Sequence, residues 1–196
     1  VSEDVALKGE EGVPTMPARP GGGEPAGGSY GMTMRQAMER TISAKGLRLA
    51  IVASRYHHDV TEALERGAIE AFEAAEGERE RLIVAPAAGA FELIAMSGEL
   101  VRRPDVDGVA ALGCVIRGET PHDQYICQSV ADGLQHLIVK HGKPIAFGLL
   151  TCLNLEQAKA RAGGAQGNKG AEAMTALIET VGAMRRIEKE QEGMKG

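Results

Sequence analysis

The chain has 196 residues, a formal net charge of −5 and three cysteines. That length supports one domain with a sizeable core, and the acidic balance argues against a nucleic-acid partner. No apolar run approaches the ~20 residues of a membrane span, and no signal-peptide pattern is visible. Cys114, Cys127 and Cys152 show neither metal-ligand nor disulfide-framework spacing, which suits a reducing cytoplasm.

Residues 1–31 are rich in Gly, Pro and Glu and hold almost no large apolar side chain. Such a stretch cannot bury enough surface to offset its ordering entropy, so it reads as a flexible extension. Residues 32–44 form a short connector, and Gly46 marks the entry to the domain proper, placed at 47–196. Leu47 to Ser54 is a continuous, mostly apolar run that suits a strand covered on both faces. A helix follows, with Asp59 as its cap, Glu62 as the capping-box partner and Gly77 at its C-terminus. Val60, Leu64, Ala68 and Phe72 recur along it at helical spacing. Arg81 to Ala85 is the second strand, Pro86 and Gly89 mark a turn, and a helix runs from about Phe91 to Val101. Val109 to Ile116 is the third strand. Thr120 is placed as the N-cap of the next helix, with Pro121 at its first position, Asp123 three residues after the cap and Gly142 at its end. Pro144 to Leu150 is the fourth strand. Asn154 caps a short helix closed by Gly163 and Gly164, and Asn168 caps a last helix with a charged end. Four strands alternating with helices predict an α/β fold, a three-layer sandwich with a four-stranded parallel sheet of the flavodoxin-like kind.

In such folds ligands bind beyond the carboxyl ends of the strands. The first strand lacks a G-x-G-x-x-G turn, and no Walker A motif or G-x-S-x-G elbow occurs. The strand ends offer instead Tyr56, Glu92, several histidines and the turn Gly118 to His122. Backbone N–H groups at that turn favour an anion at the helix start, with the His122 imidazole beside it. An aromatic, a carboxylate and an anion cradle suit a flat polar heterocycle with a phosphate nearby.

Five stretches then read together: SRYHHDVTEALERGA (54–68), AGAFEL (88–93), GCVIRGETPH (113–122), FGLLTCLNLEQAKARAG (147–163) and GNKGAEA (167–173). In this order and spacing they resemble the 6,7-dimethyl-8-ribityllumazine synthase family, over roughly Gly46 to Glu188. The resemblance implies an enzyme of riboflavin biosynthesis. It would condense 5-amino-6-(D-ribitylamino)uracil with 3,4-dihydroxy-2-butanone 4-phosphate, releasing phosphate and water, without a cofactor or metal.

By that resemblance Tyr56 stacks on the pyrimidine, while Ala90, Phe91 and Glu92 line the pocket and hold the ribityl hydroxyls. Cys114, Val115 and Ile116 edge the heterocycle, and Phe147 contacts it from a neighbouring subunit. Glu119 and Thr120 meet the phosphate at the helix start, Arg161 clamps it from the neighbour, and Lys169 matches a family lysine near it. His122 moves the proton. Taken singly, these residues have ordinary structural explanations; taken with the family spacing, the functional one wins for His122, Arg161, Phe91 and Glu92. The chain departs from the family pattern at Tyr56 (usually Phe or Trp), His57 (commonly Asn), Ala88 (usually Pro) and Leu153 (commonly polar).

The resemblance further implies homo-oligomers built from pentamers. The short connection at residues 163–167 leans toward a closed 60-subunit shell, although the family's N-terminal strand is hard to find in Met32 to Lys45. Association with riboflavin synthase is also consistent with the resemblance. Two alternatives compete with the enzyme: a catalytically inert shell protein of the same fold that binds flavin or lumazine, and a flavodoxin-like electron carrier. The carrier is disfavoured because SRYHHD lacks a Ser/Thr/Gly-rich phosphate loop.

Overall fold

β1 (Leu49–Ser54) is buried at every position, so this strand has no solvent face. Its side chains divide by the two-residue period of a strand: Leu49, Ile51 and Ala53 enter one apolar cluster, Ala50 and Val52 the other. The structure is a computed structural model that describes residues 42–194. The expected flexible extension and most of the connector lie outside the described residues.

β1 is the second strand of a four-stranded, all-parallel sheet in the order β2-β1-β3-β4. The others are β2 (Leu82–Ala87), β3 (Gly108–Ile116) and β4 (Ile145–Cys152). Helix α1 (His58–Ala74) follows β1, α2 (Leu93–Val101) follows β2, α3 (His122–His141) follows β3 and α4 (Leu155–Arg161) follows β4. The chain ends in α5 (Lys169–Gly193). On one face of the sheet, Val60, Leu64 and Phe72 of α1 pack with Met174, Leu177 and Ile178 of α5. On the other, Leu93, Leu100 and Val101 of α2 pack with Val130 and Leu134 of α3. This is the three-layer α/β sandwich expected from the alternation.

The face shared by α1 and α5 is set by close approaches. A Cβ on Gly170 would overlap the Leu64 carbonyl, so α5 touches the α1 backbone there. Asn168 caps α5 as expected, its Oδ1 accepting from Gly170 N and Ala171 N, while its Nδ2 donates to Ala63 O of α1 at 2.8 Å. Asn154 likewise caps α4 by accepting from Gln157 N, and Gly142 ends α3 in the left-handed region.

Other helix ends differ from expectation. α1 begins at His58 behind His57, which takes φ 58° and ψ 52°, and neither Asp59 nor any other side chain caps it. Its C-terminus turns through Glu76 at φ 65°, not through Gly77. Gly77 is needed for a different reason: a Cβ there would meet the Phe72 ring at 2.5 Å. α3 begins at His122 with Pro121 flanking it and no side-chain cap, so Thr120 and Asp123 do not form the expected capping arrangement. β2 carries through Pro86, a residue expected in the turn; an edge strand tolerates its missing N–H. The Gly-rich connection after α4 is itself a small hairpin, β5 (Ala162–Gly164) with β6 (Gly167–Asn168), turned by Gly163 at φ 107° and Gly167 at φ 73°.

Candidate active site

With strand order β2-β1-β3-β4, the chain leaves β1 in one direction and crosses to its other side to form β3. The crevice outside the carboxyl ends of β1 and β3 is therefore a topological switch point, where open α/β sheets hold ligands. A cavity of about 450 Å³ lies there, within the size range of small-molecule sites.

The β1–α1 turn contributes Tyr56 and His57; the β2–α2 turn contributes Gly89, Ala90, Phe91 and Glu92. The end of β3 supplies Cys114, Val115 and Ile116, and the following turn and helix supply Gly118, Thr120, His122, Asp123 and Ile126. Nine expected residues thus meet in one cavity: Tyr56, Ala90, Phe91, Glu92, Cys114, Val115, Ile116, Thr120 and His122.

Large aromatic surface is presented outward at this cavity. Tyr56 is 69% and Phe91 56% exposed, where an isolated chain would ordinarily hide such rings. The Glu92 carboxylate folds back on its own turn, Oε2 lying 3.0 Å from where a Gly89 Cβ would be. The turn before α3 is open: nothing comes within 4 Å of a Cβ built on Gly118. Arg117 N donates to Cys152 O at 2.9 Å, while the N–H groups of Gly118, Glu119 and Thr120 find no acceptor among the described residues. These unspent donors at the start of a 20-residue helix suit an anion. Glu119 is exposed and does not line the cavity.

Burial above all, with the neighbouring Cys152 and Cys127 adding to it, pushes the Cys114 thiol up to about 12. Cys114 is therefore a neutral wall at neutral pH and not a nucleophile. Burial also raises Cys152, against which the nearby Arg161 charge acts.

Phe147, Arg161 and Lys169 are not in this cavity. They line a second cleft of about 420 Å³ beside the edge strand β4, with Thr151 and Glu172. Phe147 is 49% exposed there. Arg161 Nη1 donates to Gln157 O at 3.1 Å, which leaves four of the five guanidinium N–H donors for other partners. Lys169 Nζ is held by both Glu172 oxygens at 2.8 and 2.6 Å. One chain therefore divides twelve of the thirteen expected residues between two separate clefts, Glu119 lining neither.

The sequence offered the turn at Gly118 but not Gly89, Asp123 or Ile126 as lining residues. Ile126 was legible only as part of the α3 apolar stripe and Asp123 only as a helix-start acid. Among the described residues no group of three or more His, Cys, Asp or Glu could hold a metal ion, and no helix is long and apolar enough to cross a membrane.

The family model described as 6,7-dimethyl-8-ribityllumazine synthase matches residues 46–185. A 6,7-dimethyl-8-ribityllumazine synthase of Thermus thermophilus is 47% identical over 146 residues, which cover 74% of this chain and 93% of the relative. Proteins of the same description from Aquifex aeolicus (43% identical; 74% of this chain, 94% of the relative) and Desulfovibrio desulfuricans (40%; 74% and 94%) are similar over the same extent. All of the residues gathered in the two clefts lie inside the matched span.

Proposed function

Because the chain belongs to the 6,7-dimethyl-8-ribityllumazine synthase family, we propose that it condenses 5-amino-6-(D-ribitylamino)uracil with 3,4-dihydroxy-2-butanone 4-phosphate in riboflavin biosynthesis. The products are 6,7-dimethyl-8-ribityllumazine, orthophosphate and water. The observation that carries this reading is the placement of His122 in one cavity with Tyr56, Phe91, Glu92 and an open helix start.

In this reading the aromatic surface of Tyr56 and Phe91 takes the flat ring, and Glu92 accepts from ribityl hydroxyls. The free N–H groups before α3 hold the phosphate of the second substrate. When the ring amine attacks the ketone, the nitrogen must lose a proton, and the departing water must gain one. His122 is the residue at hand that exchanges protons near neutral pH. Phosphate leaves more readily where donors and positive charge already face it. Holding both substrates together supplies much of the remaining acceleration.

The cavity of a single chain lacks Arg161, Phe147 and Lys169, which line the β4 cleft. We therefore propose that the working site forms where the first cavity of one subunit meets the β4 cleft of the next, in a ring of five. Arg161 then adds a fixed cationic fork to the phosphate. Because Lys169 is already paired with Glu172, that pair acts as a unit. The tight β5–β6 hairpin leaves little bulk before α5, which supports the closed shell over an isolated pentamer; such a shell is compatible with association with riboflavin synthase.

The test is to mix the purified full chain with both substrates and follow lumazine by absorbance and fluorescence, with phosphate release in parallel. The proposal predicts one phosphate per lumazine. Ring binding without any product would instead identify an inert binding protein of the same fold.

A further inference from the structure

Among the described residues, the β4 cleft is lined by three charged side chains, Arg161, Lys169 and Glu172. The two cations are not equivalent. Lys169 Nζ donates to both Glu172 oxygens, at 2.8 and 2.6 Å. Glu172 Oε1 also lies 3.6 Å from where a Gly167 Cβ would be, so the carboxylate leans on the β5–β6 hairpin while it holds the lysine. Arg161 spends one N–H on Gln157 O and joins none of the ion pairs among the described residues. Two cations and one carboxylate leave the cleft a net charge of +1, and that charge belongs to Arg161.

An exposed ion pair one turn apart on a helix adds little to stability, and a first-turn carboxylate suits the helix dipole. Neither explains the setting, in which the anion grips one cation and leaves its neighbour in the same cleft uncompensated. Opposite charges in contact largely cancel each other's field a few ångströms away, whereas two unpaired cations would both act on a bound dianion. Phosphate enters the proposed reaction on a substrate and leaves it as a product. A cleft that grips the product too tightly makes release the slow step.

We propose that Glu172 is a positioning residue that withholds the Lys169 charge from phosphate, leaving Arg161 as the one uncompensated cation of the cleft and orthophosphate weakly held. This rests on the reaction proposed above, which brings a phosphate to Arg161. Glu172 acts through Lys169 and touches neither substrate. The phosphate substrate keeps the contacts of its carbon chain, which the product has lost, so a single free cation discriminates in favour of release.

The experiment titrates inorganic phosphate into the full chain as wild type, Glu172→Gln, Lys169→Met and the double variant, at low ionic strength, with a melting temperature for each. Glu172→Gln keeps the shape and frees the lysine charge, so it should bind phosphate about threefold to tenfold more tightly. Lys169→Met leaves Glu172 opposing Arg161 and should bind it more weakly by a similar factor. The double variant restores the net charge and should return to within about twofold of wild type. The gain in Glu172→Gln should shrink in about 0.5 M NaCl. In the two-substrate assay, Glu172→Gln should show a lower KM for the phosphate substrate, a lower kcat and stronger inhibition by added phosphate. A purely structural Glu172 would give lower melting temperatures with phosphate affinities within about twofold across all four proteins, which overturns the proposal. Weaker phosphate binding in Glu172→Gln, or none in either it or wild type, overturns it too. The predicted order of phosphate affinities without any lumazine formation would overturn the reaction and leave the charge balance standing.

Discussion

Tyr56 and His57 meet edge to face at the main cavity, ring centroids 5.2 Å apart and planes at 89°. His57 achieves this from the left-handed region, at φ 58°, where a residue with a Cβ is held at a cost of about 1–2 kcal/mol. The backbone at the β1–α1 turn is therefore bent to set one ring against the other. His57→Gly accepts the same backbone and should change stability by less than about 1 kcal/mol. It removes the ring that orients Tyr56, so binding of the ring substrate should weaken by about threefold. His57→Val, β-branched at the same φ, should be less stable than His57→Gly by about 2 kcal/mol in urea unfolding.

Asn168 is a second residue with two duties. Its Oδ1 caps α5 and its Nδ2 donates to α1 through Ala63 O. Asn168→Ala should cost about 2–3 kcal/mol, combining a lost cap with an unpaired carbonyl. Asn168→Asp retains the acceptor and loses the donor, so it should lose only about half of that in the same unfolding experiment.

These two residues also mark what could be read before the structure. Asn168 and Asn154 stand directly before helical periodicity, and their capping follows from local chemistry alone. Asp59 and Thr120 stand in equally plausible cap positions and do not cap. At the first, the chain enters α1 through left-handed His57; at the second, Pro121 flanks the helix start. Nothing in the identity of a histidine announces positive φ. The strands were legible because their apolar runs are continuous, as burial on both faces requires. The β5–β6 hairpin was not, since a Gly-rich segment carries no alternating pattern. Tyr56 and His122 could be placed at strand ends from topology. The separation of Arg161 from His122 into different clefts depends on tertiary packing, and the assignment to a neighbouring subunit came from the family resemblance. Asp123 was legible only as a first-turn acid, and its place in the cavity wall depends on how α3 packs on the sheet.

The Cys114 thiol yields a pH prediction. It is held up to about 12 by burial, against an ordinary value of 9.0. A raised folded-state value means the fold favours the protonated thiol. Its stabilising contribution is full below the unfolded value and is lost as pH rises from about 9 toward 12. Between those limits stability should decline with a slope that Cys114→Ala reduces, and iodoacetamide at neutral pH should leave Cys114 unmodified in folded protein. Rapid alkylation at neutral pH would show that the β3 end is open to solvent.

His122→Ala should slow turnover by about 10²–10⁴-fold while leaving ring binding nearly intact, since proton transfer and ring recognition use different groups. Arg161→Ala should act on the phosphate substrate, weakening its use by on the order of 2 kcal/mol or more. Equal loss of ring affinity in both variants, read by titration with the aminopyrimidine, would contradict this division.

That division, taken with the two separate clefts of one chain, allows the two-subunit site to be tested directly. His122→Ala chains keep an intact β4 cleft, and Arg161→Ala chains keep an intact main cavity. Unfolding the two variants together in equal amounts and refolding them should create sites that draw one half from each. With random neighbours in the ring, about a quarter of the sites become fully wild type. Lumazine formation should then rise from the low level of either variant to about a quarter of that of wild type carried through the same treatment. A mixture no more active than the two variants refolded separately, beside active refolded wild type, would contradict a lumazine-forming site shared between neighbours.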